Sequence, residues 1–321
     1  MIKLYVEDIA SGDVFSRRYD VSIFCCGYEE RCTYLPSVLS KSKIGSTLVF
    51  DFSDNESIQD GGRSRNSRFF DELSGPAIKV EYSQSEVVVE SLRRIIDILA
   101  ASGAKSANVL VDYSSMPRLW AAEILNFFKN HDIDIDLVFD FVYSVGEHVY
   151  TDRPRQLREP IVLPGCEAVA TYNKKTVAIF GLGFDSGAPI CIHNMIEPDT
   201  TFALVARPGA LEDYSRRAES TNSEFIEDSV SEVIYSPLAS VKQTYDSMRE
   251  IFYPYKNSAT TVLVPFGPKP HALAAILAAM NHQGVACLHA STGPILQPIT
   301  ATTDLVMSRI FRLSDSDAGE S

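Results

Sequence analysis

The sequence predicts an α/β protein made of two similar halves, each a mainly parallel sheet flanked by helices. Two observations support this prediction. Short apolar, β-branched runs alternate with runs of helical length through most of the 321 residues, and such alternation is typical of parallel βαβ units. In addition, several strand and turn patterns of the first half recur later at nearly constant spacing.

The elements of the first half can be assigned in order. Strands are predicted at 19–26, 46–53, 77–83, 108–114 and 133–144. Apolar residues recur with helical period in 85–102, which predicts a helix there. Further helices are predicted at 117–130, within 27–40, where Pro36 limits the helix, and in part of the polar segment 55–73. Before the first of these strands, residues 1–18 are expected to form a hairpin around Ser11, Gly12 and Asp13.

The second half repeats these patterns. KTVAIFGLGFD (175–185) is similar to DVSIFCCGYEE (20–30), which places Gly183 156 residues after Gly27. VDYSSMPRLWAAEIL (111–125) aligns without gaps to VPFGPKPHALAAILA (264–278), 153 residues later. We therefore expect two Rossmann-like domains from an internal duplication, 1–172 and 173–313, related by a pseudo-two-fold axis. An acidic tail, 314–321, is expected to be disordered.

Composition excludes several classes of function. The net charge of −13 disfavours direct DNA binding, and no apolar run is long enough to span a membrane. The first residues do not read as a secretion signal, so a cytoplasmic location is expected. The six cysteines have neither CxxC pairs nor metal-site spacing with the histidines, which favours buried reduced thiols and no metal site. The basic run GGRSRNSR (61–68) reads as a solvated loop.

The first repeated turn follows the first parallel strand of each half, and ligands of parallel α/β sheets bind at such strand ends. Gly27 and Gly183 would let the chain turn tightly and present backbone N–H groups to an anion. Glu29 and Asp185 lie in the same turns and could bond ribose hydroxyls. A well-capped structural turn explains the same residues.

The second repeated turn joins a strand to an apolar helix. In the second half it contains Gly267, Lys269 and His271. A glycine, a cation and a helix N-terminus together can hold a phosphate. In the first half this place is taken by hydroxyl and guanidinium groups, which also bind phosphate, from Ser114, Ser115 and Arg118. We expect Arg118 and Lys269 to face one shared cleft, although helix capping and a solvated lysine remain the simpler alternative.

The turn Gly267-Pro268-Lys269, followed by an alanine-rich helix, resembles the signature turn of CARF domains. These are Rossmann-like sensors of cyclic oligonucleotides in prokaryotic defence. The duplicated architecture is similar to that of SAVED domains, in which two CARF-like halves share one chain. The sequence departs from that pattern at Pro268, and the Ser114–Arg118 turn has no glycine. The resemblance implies a nucleotide ligand and, because no effector domain follows, a separate effector protein.

Three functions are consistent with these sequence features. The first is nucleotide binding or sensing, with cyclic oligonucleotides as candidate ligands, in a defence or stress-signalling system and without a further cofactor. The second is nucleotide processing, as in a phosphodiesterase, a ring nuclease or a nucleoside hydrolase, with a strand-end carboxylate as base or nucleophile, the candidates being Glu29, Glu30 and Asp112. The third is a scaffold or adaptor that binds only a partner protein. Binding is favoured over catalysis, and because no Ser-His-Asp order, HExxH or deaminase signature is present, the class of any reaction stays open.

A dinucleotide-dependent oxidoreductase is a further alternative within the enzyme class. GLGFDSG (181–187) follows a strand with a G-x-G pattern, and Arg207 ends the next strand where a 2′-phosphate contact could lie. Asp51 ends the corresponding strand of the first half, at a position where a ribose could be bound.

Overall fold

A computed structural model describes residues 2–52, 61–147, 157–169, 174–291 and 299–313. The chain divides into two compact units, which we call unit 1 (Met1–Thr151 and Ile295–Ser321) and unit 2 (Asp152–Pro294). Each unit contains one mostly parallel sheet flanked by helices, which confirms the predicted α/β class. Within those residue ranges, no helix has the length and apolar character needed to cross a membrane.

Unit 1 has a seven-stranded sheet. Its strands are β1 (Lys3–Asp8), β2 (Val21–Cys26), β3 (Ser46–Phe52), β4 (Ile78–Val80), β5 (Ser106–Asp112), β6 (Asp136–Glu147) and β13 (Thr300–Leu313). They lie in the order β1-β13-β6-β5-β2-β3-β4. The five strands from β6 to β4 are parallel to one another, and β13 is antiparallel to both β6 and β1.

The helices of unit 1 bury apolar stripes against this sheet, as helical periodicity predicts. They are α1 (Ser11–Ser16), α2 (Tyr34–Val38), α3 (Gly61–Ser74), α4 (Ser85–Ala101) and α5 (Arg118–Asn130). A 3-10 turn, Glu30–Thr33, precedes α2. In α4 the buried stripe includes Val88, Leu92 and Ile96. In α5 the fully buried Trp120 packs edge-on against Phe50 of β3, with ring centroids 6.2 Å apart.

Unit 2 has a six-stranded sheet. Its strands are β7 (Ile161–Val162), β8 (Lys175–Gly181), β9 (Thr200–Ala206), β10 (Glu232–Ser236), β11 (Ala259–Pro265) and β12 (Val285–His289), in the order β10-β9-β8-β11-β12-β7. The first five in this order are parallel, and β7 is antiparallel to β12. The helices are α6 (Gly187–Ile196), α7 (Tyr214–Thr221), α8 (Ser223–Ser229), α9 (Val241–Phe252) and α10 (Lys269–Asn281).

The parallel strands of the two sheets have the same order. Numbered along the chain within each unit, both read 3-2-1-4-5, with the first and fourth strands adjacent. This is the order of dinucleotide-binding folds, in which the crevice between the first and fourth strands is the topological switch point. A shared order is what an internal duplication predicts, and the duplication and its pseudo-two-fold axis stay hypotheses.

The N-terminal segment differs from the predicted hairpin. Ser11, Gly12 and Asp13 begin the short helix α1 instead of a β-turn, and the Asp13 carboxylate accepts a hydrogen bond from the Ala10 backbone N–H at 3.2 Å. The partner of β1 is β13, from the far end of the chain. A local sequence pattern can indicate a strand such as β1, but it cannot indicate that the strand pairs with β13, some 300 residues away.

The unit boundaries also differ from the predicted division at 172/173 and from a second domain that extends to 313. Strand β13 belongs to the sheet of unit 1, where Arg309 lies opposite Asp140 of β6 and Glu7 of β1. Arg309 donates two hydrogen bonds to the buried Asp140 carboxylate, at 2.8 and 3.1 Å. The Tyr19 hydroxyl donates a third at 2.9 Å. This charged cross-strand contact fixes β13 in unit 1. The predicted tail, 314–321, lies outside the described residues.

The basic run 61–68 is the start of a helix and not a solvated loop. Arg63 and Arg65 of α3 both form ion pairs, and Arg65 and Arg68 are exposed. All six cysteines are free thiols, and all but Cys191 are buried, as expected. Burial, followed by the nearby Asp51 carboxylate, raises the pKa of Cys26 to about 12, which disfavours a nucleophilic thiolate there.

Candidate functional site

The predicted turns of unit 1 lie together at its switch point. The first turn, Gly27 to Glu29, follows β2, and the second, Tyr113 to Pro117, follows β5, the neighbour of β2. The Ser115 hydroxyl donates a hydrogen bond to Glu29 Oε2 at 3.3 Å and so joins the two turns. The carboxyl ends of adjacent parallel strands meet at one edge, which is why residues 86 positions apart come into contact.

Arg31 is the central residue of this edge, and sequence reasoning missed it. Its side chain is only 2% exposed, and its Nε lies 2.6 Å from Glu29 Oε2. Its Nη1 donates to the Tyr143 hydroxyl at 2.7 Å and to the Ser144 carbonyl at 3.4 Å. Burial disfavours the charged guanidinium, but Glu29 and then Tyr143 outweigh burial, so the pKa of Arg31 lies above its ordinary value.

Ser114 has a structural role in the same turn. It is fully buried, and both its backbone N–H and its hydroxyl donate to Asp112 Oδ1. Its hydroxyl oxygen also accepts from the Ser144 backbone N–H at 2.7 Å, which ties the turn to β6. Ser114 and Asp112 therefore hold the turn in place, and both are buried away from solvent.

Helix α3 covers the ends of β2 and β3. Arg63 donates to Asp51 Oδ1 at 2.9 Å and to the Tyr28 hydroxyl at 2.8 Å, and its guanidinium lies 5.0 Å from the centre of the Tyr28 ring. Arg65 of the same helix pairs with Glu30. Asp51, which could bind a ribose by position, is thus already held by a guanidinium whose side chain is 13% exposed.

In unit 2 the two predicted glycine turns lie against each other. A Cβ on Gly183 would stand 2.6 Å from the Phe266 carbonyl oxygen, and a Cβ on Gly267 would stand 3.2 Å from the Leu182 carbonyl oxygen. Both glycines have ordinary negative φ, so the observed reason for glycine is close backbone approach between the ends of β8 and β11.

A buried asparagine fixes the first turn in each unit. Asn66 of α3 donates to the Gly27 carbonyl at 3.0 Å, and Asn222, between α7 and α8, donates to the Gly183 carbonyl at 2.8 Å. Both asparagines are 1% exposed. The two asparagines are 156 residues apart, as are the two glycines, so the contact is repeated together with the sequence.

The remaining predicted residues lie at the start of α10 and after β8 in unit 2, and at the start of α5 in unit 1. Lys269 is the first residue of α10 and is half-buried, as is Asp185. Arg118 is the first residue of α5, at the corresponding place in unit 1, and is also half-buried. His271 is fully buried within α10, and its Nε2 lies 3.3 Å from the Pro237 carbonyl, so this residue faces the interior.

Arg207, the candidate for a 2′-phosphate contact, is engaged with its own unit. Its Nη2 lies 2.7 Å from Glu219 Oε2, and its guanidinium lies 3.8 Å from the centre of the Tyr235 ring. The Tyr235 hydroxyl donates to the same Glu219 carboxylate. Arg207 is thus already paired with a carboxylate, which disfavours the NADP-dependent alternative.

Two of the carboxylates expected to catalyse are in ion pairs, Glu29 with Arg31 and Glu30 with Arg65. The third, Asp112, accepts from Ser114. The arrangement suits holding charge in place more than transferring protons, because a general base needs a carboxylate oxygen that can reach substrate. Within the described ranges, no group of three or more histidine, cysteine or acidic side chains is placed to hold a metal ion.

Arg31, Arg63 and Asn66, which sequence reasoning did not assign to the site, all contact the turn after β2. Arg63 and Asn66 lie in the basic run GGRSRNSR, and Arg31 follows Glu29 and Glu30 in the first repeated turn. Comparison with protein-family models finds no match for this chain, and comparison with curated proteins finds none either.

Proposed function

We propose that this protein binds a nucleotide at the switch point of unit 2 and acts as a cytoplasmic nucleotide sensor. Cyclic oligonucleotides are the first candidate ligands, and a separate protein would carry the effector activity in a defence or stress response. The observation that carries the proposal is the position of Lys269. It begins a 13-residue helix after β11, the fourth parallel strand, at the sheet edge beside the switch point where folds of this strand order bind their ligands.

The surroundings of Lys269 support phosphate as the ligand group. The helix that it begins directs unsatisfied backbone N–H groups and the positive end of the helix dipole towards the strand end. The two glycine turns bring backbone together beside it and leave no side chain of their own there. Lys269 is half-buried, which strengthens its attraction for an anion relative to a fully solvated lysine.

Thermal unfolding with a nucleotide panel tests the proposal. The panel contains mono- and dinucleotides, cyclic mono- and oligonucleotides, and the corresponding nucleosides, which lack phosphate. A phosphate-bearing ligand should raise the Tm by several degrees at concentrations well above its Kd, since binding to the folded state alone stabilises it. Lys269→Ala should abolish the shift.

Lys256→Ala is the matched control. Lys256 lies just before β11, at the opposite end of the strand that Lys269 follows, and it contacts Tyr253 at 2.8 Å. Its loss should leave the nucleotide shift intact. No shift with any phosphate-bearing compound, or a shift that survives Lys269→Ala, would refute the proposal. A stoichiometric partner protein in the absence of ligand would then favour the adaptor alternative.

The enzymatic alternative is separable by product analysis. Any ligand that shifts the Tm is incubated with the protein and the mixture is resolved by chromatography. We expect unchanged ligand, because Glu29, Glu30 and Asp112 all hold other groups of the protein. Conversion of the ligand, lost in Glu29→Gln, would replace the sensor proposal with a nucleotide-processing one.

A further inference from the structure

The guanidinium of Arg31 requires an anion beside it. The side chain is 2% exposed, and its other partners, the Tyr143 hydroxyl and the Ser144 carbonyl, are neutral. A buried cation without a counter-charge strongly destabilises a fold. Among the described residues, Glu29 is the carboxylate that supplies that counter-charge, at 2.6 Å.

Two hydrogen-bond donors, the Arg31 guanidinium and the Ser115 hydroxyl, hold the Glu29 carboxylate, and we call this place the two-donor position. Oε2 accepts from Arg31 Nε and from the Ser115 hydroxyl at 3.3 Å. A guanidinium and a hydroxyl are donors that proteins use to hold external carboxylates and phosphates. The Glu29 side chain is 15% exposed, so this position is reached from solvent at the strand end of unit 1.

A glycine, Gly146, leaves space beside the Arg31 side chain. A Cβ at Gly146 of β6 would stand 3.0 Å from both Cδ and Nη1 of Arg31, so a glycine leaves room for the buried side chain. At the aligned position of unit 2, 156 residues after Arg31, stands Gly187, which has no guanidinium. The aligned turn in the described part of unit 2 therefore does not repeat the two-donor position.

We infer that Arg31 and Ser115 form an oxyanion site in unit 1, that Glu29 is its internal occupant, and that an external carboxylate or phosphate group can replace Glu29. The inference rests on the proposed function only in taking a nucleotide phosphate as the natural displacing group. A tethered carboxylate competes at high effective concentration. A free small anion therefore does not displace it, whereas a ligand that makes additional contacts does.

Chemical rescue tests the site without any nucleotide. Glu29→Ala removes the occupant and should lower the Tm by about 10 °C in sodium chloride, because it leaves Arg31 buried without its counter-charge. Acetate or phosphate, added at roughly 10–100 mM with constant ionic strength, should restore at least half of that loss with saturation, as expected for binding to the folded state. The wild type should gain less than about 1 °C.

Two further variants serve as controls for the rescue experiment. Glu30→Ala removes the neighbouring carboxylate, whose partner Arg65 is 63% exposed, and should show a small loss and no rescue. Glu29→Ala with Arg31→Met removes the buried charge, and should be more stable than Glu29→Ala and insensitive to anions. If Glu29→Ala does not fold in chloride, folding in acetate or phosphate is the rescue readout. Comparing acetate with phosphate distinguishes a carboxylate site from a phosphate site.

The inference is overturned if anions stabilise Glu29→Ala no more than the wild type or Glu30→Ala. It is also overturned if Glu29→Ala matches the wild type in stability, or if Glu29→Ala folds in no anion while the double variant folds. None of these results depends on Lys269 or on a nucleotide. Failure here leaves the proposed function standing, and failure of the nucleotide panel leaves the oxyanion site standing.

Discussion

Asp51 and Arg63 form an ion pair, 2.9 Å between Oδ1 and Nη2, that ties the end of β3 to α3. Exactly 156 residues later along the chain, Arg207 and Glu219 form an ion pair at 2.7 Å with the charges exchanged. The contact is retained while its polarity is reversed. An ancestral pair in which one half exchanged both members would produce this pattern, so the duplication hypothesis gains a contact that strand order alone does not provide.

The first prediction concerns this reversed polarity. Asp51→Arg alone and Arg63→Glu alone should each destabilise the protein by about 1–3 kcal/mol, because each leaves like charges in a largely buried contact. The double variant Asp51→Arg/Arg63→Glu reproduces the polarity of unit 2 and should recover most of the loss. Urea unfolding, read as a double-mutant cycle, measures the coupling.

The corresponding swap in unit 2 is the control. Arg207 and Glu219 have side chains that are 45% and 27% exposed, so solvent screens their attraction. Their coupling should be no more than about 1 kcal/mol. Equal coupling in the two units, or no recovery in the unit 1 double variant, would contradict the argument from burial.

The second prediction separates two glycines that lie four positions apart. Gly183→Ala places a Cβ 2.6 Å from the Phe266 carbonyl oxygen and should cost about 1–3 kcal/mol, because two backbone segments would have to move apart. Gly187→Ala meets nothing within 4 Å at the start of α6 and should be neutral or stabilising by about 0.5 kcal/mol. Chemical denaturation of both variants checks the order, and a greater loss at Gly187 would refute the close-approach explanation.

The third prediction concerns pH and His271. Burial lowers the pKa of this imidazole to about 4, below its ordinary 6.5. The unfolded chain therefore binds a proton between these values that the folded protein does not, so this contribution to stability is complete above pH 6.5 and is lost as the pH falls towards 4. Between pH 7.5 and pH 5 the contribution should fall by about 2 kcal/mol.

His271→Gln should remove that part of the pH dependence of the free energy of unfolding, measured by urea titration at several pH values. The wild-type profile also contains a part from His131, whose pKa is lowered to about 4 by burial and by Arg312. That part should persist in the variant. If the free energy of unfolding of His271→Gln depends on pH as steeply as that of the wild type, the pKa of His271 in the folded protein is not lowered and the prediction is wrong.

Much of the architecture is predictable from sequence because it depends on local periodicity. Alternating strand and helix patterns predict parallel βαβ units, and the repeated turns fall at the switch points where strand order places them. The partners within the turns are less accessible. Ser115 reaches Glu29 and Arg63 reaches Asp51 only after strands and helices have come together, and no local pattern marks such contacts.

Arg31 and His271 show the two directions of that limit. Arg31 reads as an ordinary helix-surface charge, yet tertiary contacts bury it beside Glu29. His271 reads as a ligand-facing residue near Lys269, yet helical geometry turns it towards the Pro237 carbonyl. In both cases the orientation of the side chain depends on which face of its element is covered, and that face is set by the neighbouring elements.

Strand β13 has a consequence for the order in which the protein can be made. It lies between β1 and β6, so two strands from the first 147 residues are bridged by residues 300–313. While the ribosome is still adding unit 2, β1 lacks its partner strand β13 and β6 is an open sheet edge, a state prone to unwanted strand pairing. The sheet of unit 1 is thus completed only after unit 2 has been synthesised, and β6 stays open to non-native pairing until residues 300–313 have emerged.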